Sequence, residues 1–348
     1  MKRRILLFLA ALVVAGSAAA VTAISVIKEE TERLVVLPAR VVVEIQPGQS
    51  LRRVAAQLRE AGLIGSERIF LFVAARSGTD RSIKHGRHEF EGSVSMAGIL
   101  EELARAPKPI LRVTIPEGLT LRDIGALLEA AGAVPAEAYL AVACSEELRR
   151  LVGAPEGLAC AEGYLFPDTY DLLPGISAGN VVDVQVRRFR EVVDPLLATL
   201  AASPDSPAAK VGGDNPLPRL LTLASIVEKE TGLASERPRI AAVFYNRLRI
   251  GMPLQTDPTV IYGEIDSGRP WDGNLTRAHL KTDTPYNTYR MKGLPPGPIC
   301  NPGRASLDAV LRPRGGSELY FVSRGDGSHE FTTNLDDHNR AVRRFQLR

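Results

Sequence analysis

Apolar and polar residues recur at helical spacing along much of the chain, and the clearest block spans residues 220–231. At 100° per residue, its apolar residues occupy one side of a helix and its polar residues a narrow strip on the other. Two acids end the block: Glu228 projects at the edge of the apolar surface, and Glu230 projects deeper within it. This pattern predicts a helix that holds at least one carboxyl group partly out of water.

The two acids allow two interpretations. Burial disfavours the charged form of a carboxyl group and raises its pKa, and a Glu whose pKa reaches roughly 6 can act as a general acid near neutral pH. Alternatively, both acids end an ordinary helix and pair with a neighbouring cation, namely Lys229, Arg237 or Arg239. The helical period alone does not choose between these interpretations.

Elsewhere the pattern predicts short strands and amphipathic helices, which indicates an α+β fold. Residues 28–40 are predicted to be a tether, and residues 201–216 and 252–302 are predicted to be loops. The predicted elements are strands at 41–45 and 88–90, helices at 51–61, 66–77, 95–104, 177–200, 235–250 and 306–311, a hairpin at 318–333, and a closing helix at 334–345.

One strand-turn-helix unit occurs twice, at an offset of 70 residues. The stretch Ile45-Gln-Pro-Gly-Gln-Ser-Leu-Arg52 matches Ile115-Pro-Glu-Gly-Leu-Thr-Leu-Arg122, and each is followed by a helical pattern that ends at a glycine, Gly62 or Gly132. This small unit resembles lysin-motif (LysM-like) modules, which bind polymers of N-acetylated sugars. The alternative is that the units only pack against and orient the domain that follows.

The N-terminal residues predict a membrane anchor. Residues 5–27 are uncharged and mainly apolar, and as a helix they would span about 34 Å, enough for a hydrocarbon core of roughly 30 Å. Basic residues precede them, so the positive-inside rule places residues 1–4 in the cytoplasm and the chain after Lys28 outside it. The alternative is a cleaved signal peptide, for which the small residues at 15–20 would supply the processing site.

Composition narrows the classes of function. The 348 residues include 43 basic and 40 acidic ones, so no excess of positive charge indicates a nucleic-acid-binding surface. Outside the cytoplasm, Cys144 and Cys160 can form a disulfide bridge that closes a short loop, and Cys300 would then remain unpaired. The five histidines show no paired spacing typical of zinc sites. The sequence therefore predicts no metal site.

Residues 252–302 combine hydrogen-bonding and aromatic side chains. They include Gln255-Thr-Asp-Pro-Thr259, Tyr286-Asn-Thr-Tyr289 and Gly293-Leu-Pro-Pro-Gly-Pro-Ile299. Long loops of this composition commonly line a functional site. A sugar suits them, because its hydroxyls take hydrogen bonds and its ring faces stack on aromatic rings.

These motifs, taken in order, resemble the endolytic murein transglycosylase family (YceG-like). The resemblance also rests on Leu223-Ala-Ser-Ile-Val-Glu-Lys-Glu-Thr231, Phe244-Tyr-Asn-Arg-Leu248, Leu254-Gln-Thr-Asp-Pro-Thr-Val-Ile-Tyr262 and Glu162-Gly-Tyr-Leu-Phe-Pro-Asp-Thr-Tyr170. It covers nearly the whole chain from the anchor onward, and Cys300 departs from the small residue expected before Asn-Pro-Gly. It implies a cytoplasmic segment at 1–4, an anchor at 5–27, a tether at 28–40, a LysM-like module at 41–112 and a mixed α+β catalytic domain at 113–348.

The resemblance also implies roles for individual residues. The catalytic acid would be the first Glu of its motif, Glu228, on the helix at 220–231, with Glu230 as a structural or supporting acid. No metal or cofactor is implied. The side chains expected to contact substrate are Glu162, Ser225, Glu230, Asn246, Gln255, Thr256, Asp257, Tyr286, Asn287, Tyr289 and Asn301.

The implied activity is internal cleavage of nascent peptidoglycan strands between N-acetylmuramic acid and N-acetylglucosamine, leaving 1,6-anhydro-muramoyl ends and terminating strand elongation. The implied location is the cytoplasmic membrane, with the catalytic domain outside and peptidoglycan synthases and elongation or division proteins as partners. Two rival classes remain open. One is a non-catalytic glycan-binding scaffold, and the other is a muramidase with a second carboxylate, Asp257 or Asp283.

Overall fold

The computed structural model describes residues 22, 24–106, 110–213 and 215–347. The chain divides into two compact units, Met1–Pro109 and Ile110–Arg348, and each has its own hydrophobic core. Residues 5–21 and 23 of the predicted anchor lie outside the described residues. Among the residues that are described, no helix is both long and apolar enough to cross a membrane.

The first unit arranges short strands and helices around a small core. β2 pairs antiparallel with β3, with Val43 opposite His88, and β1 pairs with β4. Because side chains alternate along a strand, Val43 and Ile45 enter the core while their neighbours face outward. The elements are β1 (Val35–Val36), β2 (Val41–Ile45), α1 (Leu51–Glu60), α2 (Glu67–Ser77), β3 (Gly86–Phe90), β4 (Ser93–Val94) and α3 (Met96–Ala104).

The second unit is mainly helical, with two separate antiparallel strand pairs, β5 with β6 and β7 with β8. The two pairs lie at opposite ends of the unit's sequence. Its elements are β5 (Leu111–Thr114), α4 (Leu121–Ala130), α5 (Ala136–Ala143), α6 (Glu146–Val152), β6 (Thr169–Leu172), α7 (Ala178–Ala201), α8 (Pro207–Gly212), α9 (Pro216–Glu230), α10 (Arg237–Arg249), α11 (Asp257–Asp266), α12 (Arg304–Leu311), β7 (Tyr320–Ser323), β8 (His329–Thr332) and α13 (Leu335–Phe345).

Helix α9 lies at the centre of the second unit. Every residue from Leu220 to Val227 is buried, and α8, α10, α11 and α12 all contact the helix. A helix that is enclosed on all sides in this way contributes to the core along its whole circumference. It begins at Pro216, earlier than predicted, because proline is favoured in a first helical turn, where its missing N–H is not needed.

The predicted repeat of the strand-turn-helix unit is confirmed. β2 leads through Gly48 into α1, and β5 leads through Gly118 into α4. The two turn glycines have φ of 74° and 80°, a left-handed conformation that favours glycine. Each strand pairs antiparallel with a strand later in its own unit.

Within the predicted tether at 28–40 lies β1, whose backbone partners come from β4. Two stretches that were predicted to be loops contain helices, and these predictions were wrong. The loop at 201–216 includes α8, which Ser206 caps. The loop at 252–302 includes α11, whose buried face mixes Thr259, Val260, Gly263 and Glu264 and so lacks a clear apolar period.

Cys144 and Cys160 form a disulfide, as predicted, and Cys300 is a buried free thiol. The bridge joins the end of α5 to the segment at 161–166, whose residues are all buried. Beside the bridge, the N–H of Ala161 donates to the carbonyl of Ala143 at 2.9 Å. Closing a loop of this length stabilises a fold by about 3 kcal/mol.

Candidate active site

The last turn of α9 points its two acids in different directions. Residues two apart on a helix are separated by about 200°, so Glu228 and Glu230 face different neighbours. The Glu228 side chain is only 5% exposed, which confirms that at least one carboxyl group is held largely out of water. The two environments differ in the donors that they offer.

Glu228 lies between two hydrogen-bond donors. Nη2 of Arg237, at the start of α10, donates to Oε1 at 2.8 Å, and the backbone N–H of Gly303 donates to Oε2 at 3.0 Å. The Arg237 side chain is itself only 10% exposed. A guanidinium and an N–H can only donate, so both carboxyl oxygens of Glu228 act as acceptors here. The predicted pairing with Arg237 is therefore present, and the catalytic role of Glu228 stays a prediction.

The turn between β5 and α4 packs beside this pair. Lys229 Nζ donates to the carbonyl of Gly118 at 3.2 Å, and Glu117 Oε2 lies 3.9 Å from Nη1 of Arg237. Burial and the nearby charge of Glu228 raise the pKa of Glu117. Gly303 lets the Glu117 carboxyl group lie close to its backbone, and a Cβ at position 303 would force that carboxyl group to move.

Glu230 has a different environment. Its Oε1 accepts a hydrogen bond from the hydroxyl of Thr256. Burial raises the pKa of Glu230 to about 7, although the Thr256 bond lowers it; Asp257 adds to the rise, and His329 opposes it. Its position at the C-terminus of α9 also disfavours a negative charge. This carboxyl group can therefore hold a proton near neutral pH.

The segment that reaches Glu230 is held in an uncommon backbone conformation. Gln255 has φ of 47°, in the left-handed region, although it is not glycine. Its N–H donates to the carbonyl of Thr288 at 3.2 Å, and the N–H of Thr256 donates to the Thr288 hydroxyl at 3.0 Å. Thr288 therefore positions the Thr256 hydroxyl toward Glu230.

Asp257 and Tyr289 lie on the solvent side of this segment. The Tyr289 hydroxyl donates to Oδ1 of Asp257 at 2.6 Å. Gln255 and Asp257 are exposed and Tyr289 is half-buried. Asp257 and Tyr289 offer a carboxylate and an aromatic ring near the carboxyl group of Glu230, and Gln255 lies on the same segment.

Two further charged residues support this part of the site, and the sequence-based reasoning did not single them out. Arg247 donates to the carbonyls of Leu254 and Leu319. Glu236 accepts from the backbone N–H of His329 at 3.0 Å, and its other oxygen lies 2.7 Å from Nδ1 of His329. Arg247 falls inside the Phe244–Leu248 motif that carries the family resemblance, which is the signal that could have identified it.

Three side chains predicted to contact substrate are instead buried in an internal network. Asn301 donates to Glu162 at 2.8 Å and accepts from Gly163 N–H at 3.0 Å. The N–H of Leu121, at the start of α4, donates to Glu162, and burial raises the pKa of Glu162 to about 8. The Ser225 hydroxyl accepts from the N–H of Ile299 at 3.0 Å. These contacts join the loops around α9.

The remaining predicted contacts also have internal partners. The Asn287 amide donates to three backbone carbonyls, the shortest bond being 2.7 Å to Thr282. Asn246 donates to the carbonyls of Gly316 and Glu318. Tyr286 is buried against Tyr262, with ring centroids 4.7 Å apart. The predicted residues that the structure gathers around the Glu230 carboxyl group are therefore Thr256, Asp257 and Tyr289.

A metal site does not arise from the described residues, because no group of three or more His, Cys, Asp or Glu side chains there could hold an ion.

The two candidates for the second carboxylate of a muramidase, Asp257 and Asp283, differ in position. Asp257 lies close enough to Glu230 to raise its pKa. The Asp283 side chain is 95% exposed, and its nearest cation is Arg290 at 3.9 Å.

Comparisons with known proteins point in one direction. The sequence profile of the YceG-like family matches residues 43–344. An endolytic murein transglycosylase of Bacillus subtilis is 30% identical over 317 residues, covering 87% of this chain and 84% of that protein. One from Streptococcus pneumoniae is 29% identical over 333 residues, covering 87% of this chain and 58% of that protein.

A solved structure is similar as well. The crystal structure of a yceG-like protein from Listeria monocytogenes aligns with a TM-score of 0.57 and 29% sequence identity. The alignment covers 87% of this chain and 99% of that one. The similarity therefore extends through both units.

Proposed function

This chain belongs to the YceG-like family, and on that premise we propose that it cuts peptidoglycan glycan strands internally, between N-acetylmuramic acid and N-acetylglucosamine. Its relatives make it a lytic transglycosylase, which is a lyase. The products would carry 1,6-anhydro-muramoyl ends, and cleavage of a nascent strand would terminate its elongation.

The observation that carries this proposal is the environment of Glu230. A general acid must hold a proton at the working pH and release it in the transition state. The pKa of about 7 and the exposed polar side chains around Glu230 suit that role. Family resemblance predicted Glu228 as the acid, and that prediction is untested. We favour Glu230 because Glu228 already accepts from Arg237 and Gly303.

One carboxyl group is sufficient for the reaction. Glu230 donates its proton to the bridging oxygen as the bond from that oxygen to C1 of N-acetylmuramic acid breaks. The resulting carboxylate then accepts the proton of the C6 hydroxyl of the same sugar, whose oxygen bonds to C1 and closes the anhydro ring. No water is consumed, and Glu230 ends protonated again. The attacking hydroxyl is already tethered, so ring closure gains from proximity.

A second candidate is a hydrolytic muramidase, and Asp257 is the observation that favours it. A glycosidase that uses water generally needs two carboxyl groups, one on each side of the scissile bond. Asp257 is exposed and lies close enough to raise the pKa of Glu230. The products decide between the two reactions, since hydrolysis leaves reducing ends and adds one water. Absence of cleavage would favour a glycan-binding scaffold.

The cellular setting is part of the proposal. A membrane anchor at residues 5–27 would confine the enzyme to glycan near the bilayer, outside the cytoplasm, where synthases extend new strands. The disulfide between Cys144 and Cys160 supports an oxidising compartment. Peptidoglycan synthases and elongation or division proteins are the proposed partners. Residues 41–112 would bind glycan as a LysM-like module or orient the catalytic domain.

The test is cleavage of purified glycan strands by Glu230→Gln and Glu228→Gln, with products identified by mass. Gln at 230 still accepts the Thr256 hydrogen bond but carries no acidic proton, so cleavage should fall by about 10²–10⁴-fold. Glu228→Gln should retain far more activity, with a lower melting temperature because the bond from Arg237 loses its ionic character. If Glu228→Gln folds but cannot cleave, while Glu230→Gln stays active, then Glu228 is the catalytic acid.

The pH dependence offers a second test. The proton on Glu230 is lost as pH rises through about 7, so cleavage should decline above that pH. Thr256→Val removes the hydrogen bond that lowers the pKa of Glu230 and should shift the alkaline limb of the rate profile to higher pH. Thr199→Val, which loses a hydroxyl bond on α7 away from Glu230, is the control. An alkaline limb that stays in place in Thr256→Val would contradict this assignment.

A further inference from the structure

A cavity of about 860 Å³ opens beside the first half of α9, away from the acids at its end. Its walls come from α8, from α9 near Thr222, from the last turn of α10, and from the loop at 293–296. Binding sites for small molecules typically occupy roughly 300–1,000 Å³. The cavity is thus large enough for a short peptide.

Cationic side chains dominate the charge around this cavity. Lys210, Arg219 and Arg249 line it, against a single acid, Asp205. Asp205 lies 3.8 Å from Lys210 and is fully exposed. Arg219 donates one N–H to the carbonyl of Val211, and within the described part of the chain no acid forms an ion pair with Arg219 or Arg249. Two guanidinium groups therefore remain available to carboxylates.

Part of the lining is apolar. Leu248 of α10 and the residues Leu294, Pro295 and Pro296 contribute to it. A ligand that matches this mixed lining carries negative charge together with short apolar groups. An acidic peptide has this chemistry, whereas an uncharged sugar does not.

The cavity is connected to the Glu230 site through two helices. Thr222 and Glu230 are eight residues apart on α9, which is about 12 Å along the axis. On α10, Asn246 and Arg249 line the cavity, while Arg247 between them donates to the carbonyl of Leu254, the residue before Gln255. The cavity and the Glu230 site therefore share α9 and α10, and they are separated by about 12 Å along α9.

We propose that this cavity binds the acidic peptide stem that peptidoglycan carries on its N-acetylmuramic acid residues. Arg219 and Arg249 would bind stem carboxylates, and the proline-rich loop would pack against small apolar side chains. This inference rests on the proposed function and adds a second recognition element to it. The enzyme would select strands that still carry their peptides.

The test compares two substrates: glycan strands that carry peptide stems, and the same strands after an amidase has removed the stems. The wild-type protein should cleave the first with a kcat/KM about tenfold higher, the size of one charge-assisted hydrogen bond. In Arg219→Ala/Arg249→Ala this ratio should fall to about one, through a higher KM on stem-bearing strands. Arg219→Lys/Arg249→Lys should retain part of the preference.

The control is Arg187→Ala/Arg343→Ala, which removes two exposed arginines outside the cavity and should keep the wild-type ratio. Equal wild-type cleavage of both substrates, or a preference that survives in Arg219→Ala/Arg249→Ala, would overturn the inference. Calorimetry with the released stem peptide tests the cavity separately from catalysis. If neither substrate is cleaved, the proposed function fails, and an absence of peptide binding would then reject the cavity as well.

Discussion

The two strand-turn-helix units of this chain share one sequence pattern but have different surroundings. In the first unit, the turn glycine Gly48 has no atom within 4 Å of where a Cβ would lie. In the second unit, Gly118 faces Glu228 at 3.4 Å and Lys229 at 3.8 Å by the same measure. The same left-handed glycine conformation therefore occurs in an open turn in the first unit and in a wall of the candidate active site in the second.

The helices that follow the two turns differ in the same way. Ser50 precedes α1 but makes no side-chain capping bond. Thr120 precedes α4 and forms a reciprocal capping box with Asp123. The N–H of Leu121 also donates to the buried carboxyl group of Glu162, which follows α4 in the chain. The second copy thus has polar contacts that the first lacks.

The largest expected effect concerns Glu162, whose carboxyl group accepts a hydrogen bond from the start of α4, in the second strand-turn-helix unit. The pKa of Glu162 in the folded state is about 8, against an ordinary value of 4.5. Between these two pH values, the folded state keeps a proton that the unfolded chain has lost. The stabilisation is complete below about pH 4.5 and is lost as pH rises through about 8. The free energy of unfolding of the second unit should decline over this range, on the order of 4 kcal/mol.

Glu162→Gln should remove most of this decline, as measured by chemical unfolding at pH 5 and pH 8.5. Glu230 would leave a smaller decline near pH 7, because its pKa is raised as well. Glu129→Gln, at an exposed position on α4, should unfold with the wild-type pH dependence. If the free energy of unfolding of Glu162→Gln declined with pH as in the wild type, the Glu162 carboxyl group would not be the cause of the decline.

A smaller effect is expected from the turn glycines. Gly118→Val and Gly48→Val both force a branched residue into a left-handed conformation, so each should lower the stability of its own unit by about 1–2 kcal/mol. Only Gly118→Val also crowds the last turn of α9, and its cleavage rate should fall about tenfold to a hundredfold. Equal cleavage rates in the two variants would show that the turn at Gly118 does not contribute to the active site.

The smallest effect concerns the helix caps. Thr120→Ala removes a capping hydrogen bond and should cost about 1 kcal/mol of unfolding free energy. Ser50→Ala removes no such bond, so its cost should stay below about 0.5 kcal/mol. Denaturant midpoints of each unit measure both. A larger loss from Ser50→Ala would mean that Ser50 caps α1 in solution.

Much of the local structure was predictable because its signals lie close together in the sequence. The strand at Val41–Ile45, the hairpin of β7 and β8, and the cap of α13 by Asn334 follow from alternation and turn chemistry. Helix α11 was missed because its buried face includes Thr259 and Glu264. Tertiary contacts shield these polar groups, and no local pattern indicates that shielding.

The roles of the site residues were less predictable. The motifs indicated that the residues around 225, 255 and 287 belong together, and they do lie around α9. The sequence did not indicate which of them remain open to solvent. Ser225, Asn287 and Asn301 are fully buried, and their polar atoms bond to loop backbone. A polar side chain in a motif can hold a loop in place as readily as it can bind a ligand.

The sequence by itself determined the repeat, the central helix and the presence of two acids at the end of α9, because each depends on spacing along the chain. The tertiary structure decided how those acids differ. Arg237 and Gly303 reach Glu228, and Thr256 reaches Glu230, from segments 9, 75 and 26 residues away. A helical projection gives the direction of a side chain, but its pKa depends on the donors and the dielectric that other segments bring to it.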